Sequence, residues 1–203
     1  MKPLTHEELF SLEQYARVRQ DFRAKVLAHK KNRIVALGPN ATLHFEDRLT
    51  MQYQVQEMLR LERIFEPELI QEELDVYNPL IPDGSNWKAT LMLEFPDEAE
   101  RRARLTQLIG IEKAVWVQVA DFARITPIAN EDLEREAPGK TASVHFLRFE
   151  LMPEMRQAVM AGAAIRAGID HPHYQAETTL TQATRDSLAS DLAHGDSGSE
   201  QRM

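Results

Sequence analysis

Runs of β-branched and aromatic residues in the middle of this chain constrain its fold more than any other feature. The longest run, residues 143–151, alternates in hydrophobicity, and residues 33–37, 87–95 and 115–119 form shorter runs of the same kind. No regular strand–helix–strand repeat joins them, which argues against a parallel doubly wound sheet. The pattern therefore predicts an α+β fold with a mainly antiparallel sheet of about five to seven strands.

Two short connections indicate antiparallel pairing. Residues 33–37 run into a Gly-Pro-Asn turn, and residues 43–46 are expected to return beside them. Residues 115–119 and 122–125 are separated by two residues and are expected to form a hairpin. Both connections fit a meander better than a crossover through a helix.

Helical periodicity predicts helices at the N-terminus, on one face of the sheet and at the C-terminus. The expected helices run from Thr5 to about residue 16, over 18–31, 49–65 and 68–77, from Pro96 to Gly110, from Pro153 to Gly168, and over 182–192, with a last strand at 177–181.

We predict one α+β domain over residues 1–194. It divides into a helical N-terminal segment at 1–31, sheet and helices at 32–168, and a strand and helix at 169–194. The last residues, 195–203, are rich in Ser, Gly, Asp and Gln, so they are predicted to form a disordered tail.

Composition excludes several classes of protein. The chain has no cysteine, so disulfides, Cys-ligated metal centres and a cysteine nucleophile are ruled out. It shows neither a signal peptide nor a membrane-spanning apolar run, and we expect a cytoplasmic protein without membrane attachment. A Gly-Lys-Thr at 139–141 resembles the end of a phosphate loop, but Glu134 stands where that loop needs its first glycine.

Charge is unevenly distributed. The chain carries a formal net charge of −8, which argues against nucleic-acid binding. The segment 17–33, however, has seven basic residues against one aspartate, a local charge of +6, and leaves −14 elsewhere. Such polarity favours association with a protein partner or with a second copy of the chain, and internal pairing of these charges is the simpler alternative.

One predicted helix carries long polar side chains on one side. In residues 49–65, Gln52, Gln56 and Arg60 share a face at helical spacing. Glutamine and arginine donate hydrogen bonds over a long reach and suit a carboxylate, a phosphate or a partner's backbone. We therefore predict a ligand- or partner-binding site from these three residues and Arg148, with an ordinary solvated helix face as the alternative.

Histidines offer a second candidate site. His171, His173 and Glu177 have a His-x-His-x-x-x-Glu spacing that resembles the metal-binding motif of the cupin family, and His145 lies in a predicted strand. The glycine-led strand that precedes that motif in cupins is missing, and the chain is too helical for a jelly roll. A transition metal held by His145, His171, His173 and Glu177 is the hypothesis, and no other cofactor is predicted.

Six segments in combination are similar to a bacterial family catalogued only as a conserved domain of unknown function. They are residues 9–15 (LFSLEQY), 35–39 (VALGP), 45–48 (FEDR), 53–60 (YQVQEMLR), 73–78 (ELDVYN) and 143–149 (SVHFLRF). The resemblance extends to about Leu192. Because members are often encoded beside rubrerythrin-like and iron–sulfur oxidoreductase genes, it implies an accessory role in peroxide or iron redox metabolism.

Taken together, these features favour a binding or accessory protein that recognises a protein partner or a small anionic ligand, and they favour it over an enzyme. Self-association is expected from the charge asymmetry. The alternative hypothesis is a metal-dependent enzyme built on the His/Glu residues.

Overall fold

The computed structural model describes residues 1–131 and 139–193. Within these ranges the chain forms seven α-helices: α1 (Leu12–Lys30), α2 (Arg48–Glu62), α3 (Pro67–Tyr77), α4 (Glu98–Gln107), α5 (Ile111–Ala114), α6 (Pro153–Met160) and α7 (Gln182–Leu192). It also forms eight strands: β1 (Ile34–Ala36), β2 (Ala41–Glu46), β3 (Asn86–Leu93), β4 (Val115–Val119), β5 (Ile128–Ala129), β6 (Val144–Glu150), β7 (Ile165–His171) and β8 (Tyr174–Thr179). The predicted α+β class is confirmed.

All strand pairs in the described ranges are antiparallel, and they divide into two sheets. The larger sheet has the order β1-β2-β3-β6-β5, and the smaller has the order β4-β7-β8. The expected single sheet of about five to seven strands is therefore two sheets with eight strands between them.

Alternation along the central strands separates two faces of the larger sheet. One face is apolar and buried, and its side chains share the main core with the smaller sheet, α6 and α7; Phe45, Trp87, Leu91 and Phe149 are at most 1% exposed. The opposite face carries polar residues in register, with Glu46 beside Lys88 and Lys88 beside Arg148. This second face is the floor of the cleft described below.

The N-terminal region forms a second cluster around α2. Met51, Val55 and Leu59 on α2 pack with Ile70 and Leu74 on α3. Asp47 caps α2 by accepting a hydrogen bond from the backbone N–H of Thr50, and Arg63 ends it in a left-handed conformation with φ 58°. These helices lie beside the polar face of the larger sheet and line one side of the cleft.

The two helices predicted before residue 31 are one helix. Thr5 precedes only a short 3-10 turn at His6–Glu8, and Ser11 is the N-cap of the 19-residue α1. The expected break between residues 16 and 18 is wrong because no glycine or proline interrupts the chain there.

The predicted helix from Pro153 to Gly168 is too long. It starts at Pro153 but ends at Met160, and Gly162 takes a left-handed φ of 90°. Gly168 lies inside β7, where a Cβ atom would come within 2.4 Å of Trp116 Cζ2, so this glycine permits close packing and does not end a helix.

Two further expectations concern strands near the C-terminal half of the sheet system. The hairpin expected at 115–125 is reduced to one bridge, between Val117 and Ile125, on the side of β4 opposite to β7. The strand expected at 177–181 is β8, which starts earlier, at Tyr174.

The predicted tail at 195–203 lies outside the described residues, and the division of residues 1–194 into segments stays a prediction.

Across residues 1–131 and 139–193, no helix has both the length and the apolar character needed to cross a membrane.

Candidate ligand-binding cleft

A cleft with two lobes lies on the polar face of the larger sheet. The larger lobe has a volume of about 420 Å³ and the smaller about 340 Å³, and both are lined by Leu80 and Phe146. Strands β2, β3 and β6 supply the floor, and the chain after α3 supplies one wall. The size of each lobe matches sites that hold small organic ligands.

The larger lobe has an apolar lining and one pair of basic side chains. Pro79, Leu80 and Phe146 line it together with Lys88 and Arg148. Lys88 sits on the central strand, between its neighbours on β2 and β6, so the backbone beneath it is held by hydrogen bonds on both sides.

Arg148, the one predicted contact residue in this cleft, is already engaged. Its Nε donates to Glu131 Oε2 at 2.7 Å and its Nη2 donates to Glu131 Oε1 at 2.6 Å, while Nη1 pairs with Glu150. Hydrogen bonding to Arg148 lowers the pKa of Glu131. These two carboxylates largely satisfy the guanidinium, so Arg148 contributes a fixed positive neighbour more than a free donor.

Lys88 has a different environment. Its side chain is half-buried, and it makes no hydrogen bond or ion pair with any residue that the structure describes. Burial lowers the pKa of Lys88, and the nearby charge of Arg148 lowers it further. An ammonium group in this position has lost part of its hydration without gaining a partner from the part of the chain that the structure describes.

The smaller lobe contains a buried carboxylate that is satisfied internally. Glu46 is 7% exposed, and its two oxygens accept hydrogen bonds from the hydroxyls of Thr50 at 2.7 Å and Thr90 at 2.9 Å. His44 contacts Thr42 Oγ1 through Nε2 at 3.1 Å, and burial lowers the pKa of His44.

A second lysine lines the smaller lobe. Lys30, at the end of α1, lies with its amine 5.9 Å from the centre of the Tyr53 ring and forms no ion pair among the described residues. The carboxylates of the cleft thus have hydrogen-bonding partners, whereas within residues 1–131 and 139–193 the amines of Lys30 and Lys88 have none.

The polar face of α2 does not join this cleft. Gln52 donates to the carbonyl of Glu8 at 3.0 Å, and the buried Gln56 both accepts from the N–H of Phe10 at 2.6 Å and donates to its carbonyl at 3.2 Å. Arg60 donates to Glu57 at 3.2 Å. Both glutamines hold the N-terminal segment against α2, and among the four predicted contact residues only Arg148 lines the cleft.

The structure also does not bring the four predicted metal ligands together. His145 is fully buried on β6, where Asn130, Thr141 and the carbonyl of Ala142 surround its ring. Glu177 lies on β8 and pairs with Arg166 at 2.9 Å.

His171 is the last residue of β7, and His173 lies in the two-residue turn that joins β7 to β8. His171 Nε2 contacts the carbonyl of Ile109 at 3.1 Å, and its Nδ1 accepts from the backbone N–H of His173. Glu177 is three residues along β8 from Tyr174, which pairs with His171, about 10 Å at the usual strand rise. No group of three or more His, Cys, Asp or Glu side chains within the described part of the chain could hold a metal ion.

Internal pairing accounts for part of the basic segment 17–33. Arg17 pairs with Glu13, Arg19 with Glu57, and Arg33 with Asp191.

Other basic residues of the segment stay exposed. Arg23, Lys25 and Lys31 form no ion pair with the residues described. The predicted association with a protein partner or a second copy of the chain would therefore involve these exposed basic side chains.

Sequence reasoning missed Lys88, His44 and Lys30 as members of a site. The available signal was the strand alternation itself, because Lys88 and Arg148 fall on the polar positions of two neighbouring strands. Recognising the cleft also required the pairing of β3 with β6, which joins residues about 60 positions apart in the chain.

Comparison with known proteins identifies relatives over nearly the whole chain. A crystal structure at 1.90 Å resolution of a novel protein of unknown function from Burkholderia pseudomallei K96243 has a TM-score of 0.90 and 49% sequence identity, covering 94% of this chain and 100% of the other. Curated proteins give no match. A family model described as a protein of unknown function, DUF3501, matches residues 3–192. The chain therefore belongs to the DUF3501 family, which confirms the resemblance seen in the sequence.

Proposed function

We propose that this protein binds small organic anions in the cleft on the larger sheet. The main observation in support of this proposal is the contrast between the carboxylates and the lysine amines at the cleft. Glu46, Glu131 and Glu150 have hydrogen-bonding partners inside the protein, whereas Lys30 and Lys88 have none among the described residues. An anionic ligand would supply the missing partner for each amine.

The lining narrows the class of ligand. Leu80 and Phe146 separate the two lobes, and Met92 and Val144 line the smaller one. Apolar walls strengthen a charge–charge contact by excluding water, and they favour a ligand with a short carbon skeleton between its polar groups. Small carboxylates and phosphate esters of a few carbon atoms have this chemistry.

Calorimetric titration with a panel of mono- and dicarboxylates and sugar phosphates tests the proposal. We expect at least one to bind saturably to the wild-type protein, and Lys88→Met to weaken that binding at least about tenfold, since losing a charged hydrogen bond costs about 1.5–3 kcal/mol. Lys25→Met is the matched control: it removes the same charge from an exposed position on α1 and should bind as the wild type does.

Failure of every anion on the panel to bind would overturn the proposal. So would equal binding by wild type and Lys88→Met, because the anion would then sit elsewhere. Recognition of a protein partner and the link to peroxide or iron redox metabolism stay predictions, the latter from the family resemblance alone. The metal-dependent alternative likewise stays a prediction, although His145 and Glu177 lie apart from the neighbouring His171 and His173.

A further inference from the structure

We propose that Lys88 forms a reversible covalent bond with the carbonyl carbon of an oxo acid bound in the cleft. This inference rests on the proposed anion binding and adds a reaction to it. It assigns Lys88 as the nucleophile and a small carboxylate with an aldehyde or ketone group as the substrate class.

The position of Lys88 suits attack on a bound molecule. It lies on the central strand of a five-stranded sheet and lines the apolar lobe of about 420 Å³, facing the same space as Leu80 and Phe146. No described residue holds its amine in a hydrogen bond or ion pair, so the nitrogen can approach a ligand without first breaking a contact.

Its surroundings also favour the neutral amine that such attack requires. Lys88 is half-buried, and its register neighbour Arg148 is a permanent cation held in place by Glu131 and Glu150. Burial is the larger cause of the lowered pKa of Lys88, and the charge of Arg148 is the second cause. Three carboxylates raise this pKa in opposition: Glu131, Asp83 and Glu150. Lysines activated as nucleophiles share these two features, desolvation and a cationic neighbour.

The reaction is a condensation that needs no oxidant or reductant. The Lys88 nitrogen forms a bond to the carbonyl carbon as the C=O π pair moves to oxygen, and the nitrogen gives up a proton while the oxygen gains one. The second proton of the nitrogen then passes to the resulting hydroxyl, which leaves as water, and the nitrogen lone pair completes a carbon–nitrogen double bond. One amine and one carbonyl thus give one imine and one water, and hydrolysis reverses the step.

The adjoining lobe offers a place for the carboxylate of the same molecule. Lys30 lines that lobe, and Leu80 and Phe146 form the boundary between the two amines. A ligand that spans the boundary would place an anionic end near Lys30 and its carbonyl near Lys88. Oxo acids with a second carboxylate fit this arrangement better than uncharged aldehydes.

Reductive trapping tests the inference. The wild-type protein is incubated with 2-oxoglutarate and cyanoborohydride, which reduces an imine to a stable amine, and modified lysines are located by peptide mass spectrometry. We expect about tenfold or more adduct at Lys88 than at Lys25 or Lys113, because binding in the cleft holds the carbonyl carbon beside the Lys88 amine. The lowered pKa of Lys88 also favours its neutral amine. Lys88→Arg should lose that adduct, and Lys25→Arg should retain it.

A parallel titration with 2-hydroxyglutarate separates this inference from the proposed function, because that molecule has the same carboxylates but no carbonyl group. If 2-hydroxyglutarate binds and 2-oxoglutarate gives no adduct at Lys88, the covalent step is overturned and anion binding stands. An adduct spread evenly over the lysines would also overturn it. If neither binding nor an adduct occurs, both the covalent step and 2-oxo acid recognition are rejected.

Discussion

Arg33 and Asp191 form a bidentate ion pair in the interior, although 158 residues separate them in the chain. Arg33 Nη2 lies 2.6 Å from Asp191 Oδ2 and Nη1 lies 3.3 Å from Oδ1, and both side chains are 1% exposed. The same guanidinium donates to the carbonyls of Phe45 and Glu46 at the end of β2. This pair therefore fastens the last helix, α7, to the first strands of the larger sheet.

Removing one partner of this pair should destabilise the protein strongly. Asp191→Ala leaves the buried Arg33 charge without its closest carboxylate, since Asp47 Oδ2 lies farther away, 3.5 Å from Nη1, and we expect the free energy of unfolding to fall by about 3–5 kcal/mol. Urea denaturation monitored by circular dichroism measures this free energy of unfolding. Glu13→Gln is the control because it breaks the exposed pair with Arg17 and should leave the midpoint unchanged. A loss below about 1 kcal/mol for Asp191→Ala would show that α7 is held by other contacts.

The buried amide of Gln56 should hold the N-terminal segment in place. Gln56→Leu leaves the backbone N–H and carbonyl of Phe10 without their partner, so we expect a loss of about 1–3 kcal/mol and faster proteolysis within residues 1–11. Gln52→Ala, on the same helix, breaks one exposed hydrogen bond to Glu8 and should change stability by less than about 0.5 kcal/mol. Equal effects of the two substitutions would contradict this account.

Glu57 should make stability depend on pH below the neutral range. Hydrogen bonds from Arg19 are the largest cause that lowers the pKa of Glu57 to about 2, and Tyr15 and Arg60 add to it. Because the folded protein holds the ionised form more strongly than the unfolded chain does, the stabilisation is complete above about pH 4.5 and is lost as the pH falls towards 2.

Glu57→Gln separates this effect from general acid unfolding. At pH 7 the variant should be less stable than the wild type by about 1–3 kcal/mol, and the difference should shrink as the pH is lowered from 4.5. Urea unfolding at pH 7, 4 and 3 gives the comparison. A difference that stays constant over this range would mean that the charge of Glu57 is not what stabilises α1 against α2.

Gly168 should not tolerate a side chain. A Cβ atom there would lie 2.4 Å from Trp116 Cζ2 and 2.6 Å from the carbonyl oxygen of Ala176, and backbone cannot yield as a flexible side chain can. Gly168→Ala should therefore cost about 1–3 kcal/mol or more in thermal or urea unfolding. Gly110→Asn is the comparison for a substitution without a clash: no atom lies within 4 Å of the added Cβ, so the cost there is only the backbone strain of a φ of 83°, which asparagine bears better than most side chains. A neutral Gly168→Ala would show that β4 and β7 pack less closely than the structure indicates.

Local sequence patterns predicted many of the helices and strands, because each pattern reflects interactions between residues that are close together in the chain. Alternation in residues 87–95 and 143–151 predicted two central strands, and Pro153 marked a true helix start. The helix expected from Pro96 begins at Glu98, with Asp97 as its N-cap. Gly168 was misread because a glycine required by a neighbouring ring has the same sequence signature as one that ends a helix.

Long-range pairing explains what the sequence could not predict about the site. Arg148 was identified, but Lys88 becomes its neighbour only through the pairing of β3 with β6. Gln52 and Gln56 had the right chemistry for binding, yet the N-terminal segment of the same chain occupies them. Polar residues on a helix face are equally suited to a ligand and to the protein's own backbone, and only the tertiary structure distinguishes these uses.

The most direct test of the anion-binding cleft is its location by nuclear magnetic resonance. Amide shifts of ¹⁵N-labelled protein would be followed during titration with the best-binding carboxylate or phosphate ester from the panel. The cleft predicts that the largest shifts occur at Lys88, Thr90, Phe146 and Leu80. Shifts confined instead to the exposed basic residues Arg23, Lys25 and Lys31 near α1, with none on β3 or β6, would contradict it.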